Sequence, residues 1–258
     1  MKIVVCMKET PSTEVKKELG ADMRLVRNPQ DAIINPFDEY TIEEGLRLQE
    51  KHGGEVVILT MGPTQTTDNV RKAMAMGADR AVVVADPSLA GSDALATGRV
   101  LAAALQKIGF DIVLFGQGTA DSNGGVVPSI TAEYLQLPLL SLASKLTIDG
   151  GSAVIERSAE VGYVTVEAKL PLVVSVSKSI NQPRYPSMKG IMSAKKKPIE
   201  TLALADLGLA ANQAGSAAAH DKVLAAETVS TQRKREIFVG NDGAAQRIFD
   251  FLSDNKII

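Results

Sequence analysis

Twelve consecutive residues carry the strongest chemical signal in the chain: Gly116-Gln117-Gly118-Thr119-Ala120-Asp121-Ser122-Asn123-Gly124-Gly125-Val126-Val127. They follow an apolar run and precede a helical pattern over 128–135, the strand-to-helix position where open α/β sheets take ligands. Four glycines allow the backbone to approach a ligand closely. A helix N-terminus adds free N–H groups and the positive end of its dipole, which together suit a phosphate. The spacing matches neither a Walker loop nor G-x-G-x-x-G, and an ordinary glycine-rich turn reads the same way. Two further turns stand in similar places. Asn35-Pro36-Phe37-Asp38 opens a helical stretch, where a helix cap is the competing explanation, and Met61-Gly62-Pro63 follows a second apolar run, where a plain turn competes. Convergence of the three would form a nucleotide pocket, with backbone groups reading adenine and the glycine-rich turn taking phosphate.

Bond-making chemistry finds no matching set. The two histidines, His52 and His220, fall near the end of a charged helix and in a small-residue stretch, away from any nucleophile. Cys6, the single cysteine, sits inside an apolar strand and reads as an inert thiol. The pair Glu43-Glu44 reads as a solvent-facing helix surface. Near the C-terminal third, Asn181-Gln182-Pro183-Arg184-Tyr185-Pro186-Ser187-Met188-Lys189-Gly190 leads to Lys195-Lys196-Lys197-Pro198, a basic, proline-bearing loop with no core of its own. Its cations suit a solvated face or a protein-docking edge, and Met188, between Pro186 and Lys189, suits an adaptable apolar anchor.

The elements that must hold these residues are legible as apolar, β-branched runs at 3–7, 56–60, 81–84, 112–115 and 172–176, the pattern of buried parallel strands. Helical patterns over 36–51, 68–76 and 93–108 separate them. Strands alternating with such helices predict an α/β fold with an open, mostly parallel, doubly wound sheet and right-handed connections. From 144 to 170 the period changes to two, predicting an antiparallel edge or insertion around Asp149-Gly150-Gly151. The alanine-rich stretch 208–222 reads as a linker or loosely held arm. Ala244, Ile248, Phe251 and Leu252 then stand at helical spacing, so the chain ends in an amphipathic helix over 242–258 that needs a surface to dock on. The expected organisation is a nucleotide-binding core over 1–200, with a loop at 183–191, and a C-terminal arm and helix over 201–258.

Composition limits the class further. The chain has 258 residues, 45% hydrophobic and 22% charged, which fits a globular protein rather than a disordered or fibrous one. No apolar run reaches the roughly 18–20 residues of a membrane span. The N-terminal apolar run is too short for a signal-peptide core, so a cytoplasmic location is expected. With 28 basic against 30 acidic residues, the net charge of −2 offers no general attraction for nucleic acid.

Over essentially its whole length the sequence resembles the β subunit family of electron transfer flavoproteins. The resemblance rests on Val5-Cys6-Met7-Lys8, Asn35-Pro36-Phe37-Asp38, Met61-Gly62-Pro63, Lys72-Ala73-Met74-Ala75-Met76-Gly77-Ala78-Asp79-Arg80 and the stretch from Asn181 through Ile191-Met192-Ser193-Ala194 to Lys197. It implies a heterodimer whose α subunit holds most of the FAD, while the β subunit binds AMP and recognises acyl-CoA dehydrogenases. The electrons would pass towards the respiratory chain through a membrane quinone oxidoreductase, and this subunit would be a carrier component rather than an enzyme. By position, the AMP contacts implied are Cys6, Asn35, Pro36, Phe37, Asp38, Met61 and residues 116–127. The implied recognition residues are Pro183, Arg184, Tyr185, Met188, Lys189 and Ile191, with Met188 where relatives usually carry leucine. Two departures stand out: Asp121-Ser122-Asn123-Gly124-Gly125 replaces a more acidic run followed by Asn-Gln-Thr, and Thr13 stands where some relatives place a tyrosine near the flavin. The alternative is an electron-bifurcating relative with a second FAD in the AMP pocket and NADH as substrate. The Asn181-Gln182-Pro183-Arg184-Tyr185 wording argues against that, and a universal-stress-type module would leave the loop and arm unexplained.

Overall fold

The computed structural model describes residues 1–227, 237 and 243–258, apart from the side chain of Gln65. The start of the expected C-terminal helix, at Asp242, lies outside the described residues. The chain divides into two units, Met1–Val223 and Leu224–Ile258.

In chain order the first unit contains β1 (Lys2–Cys6), β2 (Glu9–Pro11), β3 (Ala32–Ile34), α1 (Pro36–His52), β4 (Glu55–Met61), α2 (Thr67–Met76), β5 (Arg80–Val84), α3 (Ala94–Ile108), β6 (Ile112–Gly116) and α4 (Val127–Leu135). There follow β7 (Leu139–Ala143), β8 (Lys145–Asp149), β9 (Ser152–Ser158), β10 (Tyr163–Lys169), β11 (Leu172–Val176), α5 (Met188–Ala194), β12 (Ile199–Leu202) and α6 (Gly215–Ala218). The second unit contains α7 (Ala244–Asp254), on which Ile248, Phe249 and Phe251 are exposed.

Seven strands form one parallel sheet in the order β12-β5-β4-β1-β6-β11-β7. Alternation along β1 sorts its side chains between two cores. Ile3 and Val5 join Ile42 and Leu46 of α1 and Val70 and Met74 of α2 on one face. Val4 and Cys6 join Val100, Leu101 and Leu105 of α3 and Ala132 of α4 on the other. Burial of each such Leu or Ile contributes about 1.5–3 kcal/mol, so the five continuous apolar runs belong in the interior rather than at an edge. The antiparallel expectation for 144–170 becomes the three-stranded sheet β10-β9-β8, which adds Ile148 and Ile155 to the first core. The α/β, doubly wound class is therefore the observed one.

From β1 the chain builds β4 and β5 on one side, then crosses to β6 on the other. The strand order thus reverses at β1/β6, and the loops leaving the carboxyl ends of these two strands stand where open α/β sheets form their ligand crevice. Among the described residues no helix is long and apolar enough to cross a membrane.

Several elements differ from expectation. The outer strands β7 and β12 are half-exposed, and their apolar residues are interrupted by Ser141 in β7 and by Glu200 and Thr201 in β12. Within 208–222, read as a linker, Ala214 is fully buried and the Gly215 N–H donates to Ser92 Oγ at 2.9 Å. The basic loop contains α5, whose N-terminus is capped by Ser187 Oγ accepting from the Gly190 N–H at 3.0 Å.

Gly190 packs against the Ala75 carbonyl of α2, leaving no room for a Cβ. Gly190→Ala is therefore expected to lift α5 from α2 and lower stability by about 1–3 kcal/mol. Urea unfolding of the variant measures this, and unchanged stability would mean that α5 is not seated on α2.

Candidate functional site

The loops at the crevice are joined by two buried polar side chains of the α1 entry turn. Asn35 is fully buried. Its Nδ2 donates to the Gly118 carbonyl at 2.9 Å, and its Oδ1 accepts from the Ala120 N–H at 3.1 Å. Its backbone N–H donates to the Lys8 carbonyl at 2.9 Å. Although Asn35 occupies the N-cap position, its side chain makes no cap bond. The local helix-cap reading thus gives way to a tertiary one, since the amide is committed to a loop more than eighty residues away.

Asp38, three residues on, is also buried, and its Oδ2 accepts from the Lys8 N–H at 2.7 Å. A Cβ built on Gly116 would stand 2.5 Å from Asp38 Oδ1 and 3.2 Å from Phe37 Cβ, so only glycine lets the end of β6 approach this turn. Burial pushes the Asp38 carboxyl up to about 7, against the pull of its hydrogen bonds from Lys8 and Asn35. Cys6 is buried beside them. Desolvation, and then the charge on Asp38, raise its thiol pKa, which suits an apolar wall and not a nucleophile.

The loop after β6 is folded around Asp121. Its carboxylate is bound by Lys8 Nζ at 2.9 Å and Arg27 Nη2 at 2.6 Å, with the side chain 1% exposed. Burial opposes its charge, but the two cations outweigh that and hold it well below the usual carboxylate range. The loop closes with the Asn123 N–H donating to the Thr119 carbonyl at 2.8 Å and a 2.8 Å hydroxyl bond between Thr119 and Ser122. Gln117 Oε1 accepts from the Lys178 N–H at 3.1 Å, tying the end of β6 to the segment after β11.

Beyond this knot Ser122, Asn123, Gly124, Gly125 and Val126 are exposed, and Val127 begins α4. Gly125 has φ +65°, while a Cβ on Gly124 would meet nothing within 4 Å. Val126, at the α4 N-cap, supplies no side-chain cap. The first-turn N–H groups are thus left to water or an anion. Met61 ends β4, the neighbour of β1, and is half-buried. The structure therefore joins Cys6, the 35–38 turn and the first half of the 116–127 loop directly, and sets Met61 at the end of the adjoining strand. Lys8 and Arg27 escaped the sequence reading. The position of Lys8, two residues beyond β1, was an available signal, whereas Arg27 comes from an irregular loop with none.

The second candidate region is fastened to α1. Asn181 Nδ2 donates to the Tyr40 carbonyl at 2.9 Å and to Glu44 Oε2 at 3.1 Å. Arg184 reaches Glu43 with Nε at 2.7 Å and Nη2 at 3.1 Å, and Glu50 with Nη1 at 2.5 Å. Glu43 and Glu44 are therefore buried beneath the loop, not solvent-facing, because the loop supplies partners for both carboxylates. Desolvation raises the Glu44 carboxyl pKa. Burial acts likewise on Glu43, but hydrogen bonds from Arg184 and Arg47 outweigh it and hold that carboxylate low. Lys197, grouped with its neighbours as a solvated cation, instead donates to the α2-end carbonyls of Gly77 at 3.1 Å and Ala78 at 2.6 Å. Tyr185, Met188 and Met192 are left 95%, 76% and 69% exposed, with Pro183 half-buried and Lys189 and Ile191 exposed.

Among the described residues no group of three His, Cys, Asp or Glu side chains could hold a metal ion, and His52 and His220 are exposed.

A doubly wound α/β protein with a stitched strand-end crevice and an apolar patch on a fastened loop is the class that fold and site define. The electron transfer flavoprotein domain model matches residues 22–207. The chain is 40% identical over 263 residues to the electron transfer flavoprotein subunit beta of Mycobacterium leprae, covering 99% of each. It is 37% identical over 260 residues to that of Thermoanaerobacterium thermosaccharolyticum, covering all of both. To the Bacillus subtilis subunit it is 39% identical over 210 residues, covering 81% of each. The chain belongs to the electron transfer flavoprotein beta subunit family.

The raised Asp38 pKa gives the crevice a defined pH signature. In the unfolded chain Asp38 ionises near 3.8, so between pH 4 and 7 the folded state retains a proton that the unfolded state has lost. The cost of burying this group therefore grows as pH rises and is complete above about 7. Asp38→Asn keeps an acceptor for Lys8 without the charge. Its stability relative to the parent is expected to rise between pH 4 and 7, by at most about 4 kcal/mol, and then level off. Denaturant titrations of both proteins without ligand check this, and a pH-independent difference would show Asp38 to be ionised throughout.

Proposed function

We propose that this chain is the small subunit of a heterodimeric electron carrier, binding AMP in the β1/β6 crevice and docking acyl-CoA dehydrogenases through residues 183–191. The partner α subunit holds most of the single FAD and receives α7 of this chain on its surface. Electrons taken from dehydrogenase flavins leave through a membrane quinone oxidoreductase towards the respiratory chain, and the subunit works in the cytoplasm. The flavin supplies the redox chemistry. This chain's residues bind, orient and exclude water.

The observation that carries the nucleotide reading is the uncapped α4 N-terminus beside open Gly124 and left-handed Gly125. These features fit a phosphate: backbone N–H groups are free to converge on it, and there is room for it where a side chain would stand. Lys8 and Arg27 also neutralise Asp121, which otherwise would repel an anion. Asn35 fits the base side of such a ligand by holding the loop rigid, and Cys6 by offering an apolar wall.

The ligands released when the purified heterodimer is denatured test this reading. One FAD with one AMP is expected, and two FAD would establish the bifurcating alternative. Gly124→Asp adds negative charge in open space without backbone strain, so it should empty the AMP site and leave flavin content intact. Loss of a ligand held at about 100 times its dissociation constant removes about 2.7 kcal/mol of stability. AMP retained at parental stoichiometry would move the phosphate elsewhere.

The docking reading rests on the exposed apolar group Tyr185, Met188 and Met192, set on a loop that is itself held in place. A central apolar anchor typically accounts for about 2 kcal/mol of binding. Met188→Ala should therefore raise the carrier's KM in an acyl-CoA dehydrogenase assay about tenfold to thirtyfold, with flavin, AMP and melting temperature unchanged. A lowered melting temperature with an unchanged KM would make the loop a mere connector.

A further inference from the structure

We infer that Arg184 is a positioning residue, clamped between Glu43 and Glu50 of α1 so that the apolar group Tyr185, Met188 and Met192 is presented in a fixed orientation. The inference rests on the docking reading of residues 183–191 and assigns Arg184 a different role from the partner contact first expected.

Four of the five guanidinium N–H groups are engaged from within the chain. Nε and Nη2 meet the two oxygens of Glu43 at 2.7 and 3.1 Å, and Nη1 and Nη2 meet those of Glu50 at 2.5 and 3.2 Å. The backbone N–H of Arg184 also donates to Glu43 Oε2 at 3.2 Å. Only the planar arginine fork can engage two carboxylates in this way, each through a pair of N–H groups. Glu43 is 3% exposed and also accepts from Arg47 Nε at 2.8 Å, so it cannot swing out to follow a moving loop. To turn its paired N–H groups toward a partner's anion, Arg184 would have to abandon this buried carboxylate, which is costly.

The neighbouring fastenings point the same way. Asn181 is tied to Tyr40 and Glu44. At the far end, Arg71 Nη1 donates to the carbonyls of Ala194 and Lys197, and the Ser187 hydroxyl caps α5. The intervening span keeps its large apolar side chains exposed, although a free loop would fold them against the protein. Holding such a loop in its bound conformation reduces the entropy lost on docking, so disruption of the clamp should act on association without touching electron transfer.

The test uses the FAD-loaded heterodimer with Glu50→Gln, Arg184→Lys and Met188→Ala. The Glu50 side chain is 58% exposed, so its substitution spares the core. Glu50→Gln and Arg184→Lys are each expected to raise the carrier's KM about threefold to tenfold with kcat and flavin content unchanged; the melting temperature should hold in Glu50→Gln and fall in Arg184→Lys, which loses part of the fork on buried Glu43. Amide exchange over 184–192 should quicken in both. Combined with Glu50→Gln, Met188→Ala should have a smaller effect than alone, since an anchor on a loosened loop has less to lose. If Met188→Ala raises KM but Glu50→Gln leaves it unchanged or lowers it, Arg184 meets the partner directly and the positioning role is overturned. If Met188→Ala leaves KM unchanged, the docking reading fails, and the positioning role falls with it.

Discussion

The structure depends on one buried amide. Asn35 lies out of reach of water, so each of its polar atoms must find a partner or cost about 1–3 kcal/mol. Its partners, Gly118 and Ala120, sit on the loop after β6, and its backbone reaches Lys8 at the end of β1. Satisfying one side chain therefore brings three separate connections to a single arrangement. Asp38 repeats the constraint from the same turn, and the end of β6 must be glycine because Asp38 occupies the space. The parallel sheet creates a place for a crevice at its reversal of strand order. These polar contacts set how the loops at that place are held.

Two carboxylates serve opposite ends of this scheme by the same physics. Asp121 is bound by Lys8 and Arg27, and Glu43 by Arg47 and Arg184. Each is nearly inaccessible and each is met by at least one cation from a distant segment, which makes a buried charge tolerable and makes the contact specific to one loop geometry. The cations are consumed in the process. Arg184 and Lys197 look like charges for an outside partner when read along the chain, yet both are spent internally.

How far the sequence discloses this follows from the range of each contact. The five inner strands declare themselves because both faces are buried and nearly every interior residue is apolar, Thr60 and Ser175 excepted. Edge strands β7 and β12 do not, since one covered side leaves room for Ser141, Glu200 and Thr201. The turn at 35–38 is legible as special, but its chemistry is not. An asparagine before a helix looks the same whether it caps that helix or reaches a loop more than eighty residues away. Glu43 and Glu44 mislead for a like reason. Acidic residues in a helix default to solvent, and their partners at 181 and 184 come from the other side of the sheet sequence. Met188 is more accessible to sequence reading, because proline and lysine around an apolar residue already disfavour a core position.

Both regions take their bearings from α1. Asp38 stands in its first turn, Glu43 and Glu44 near the middle and Glu50 near the end of its seventeen residues. Successive residues on a helix are turned by about 100° and advanced by 1.5 Å. The azimuth at which Glu43 and Glu50 meet Arg184 is thus fixed by a residue count starting from Asp38. A single inserted residue between them would swing the acidic side a quarter-turn away while leaving the entry turn in place. Exposed positions of α1 outside the clamp, such as Glu39 and Lys51, can vary freely, but its length cannot drift, and insertions in relatives should avoid the interval from 38 to 50.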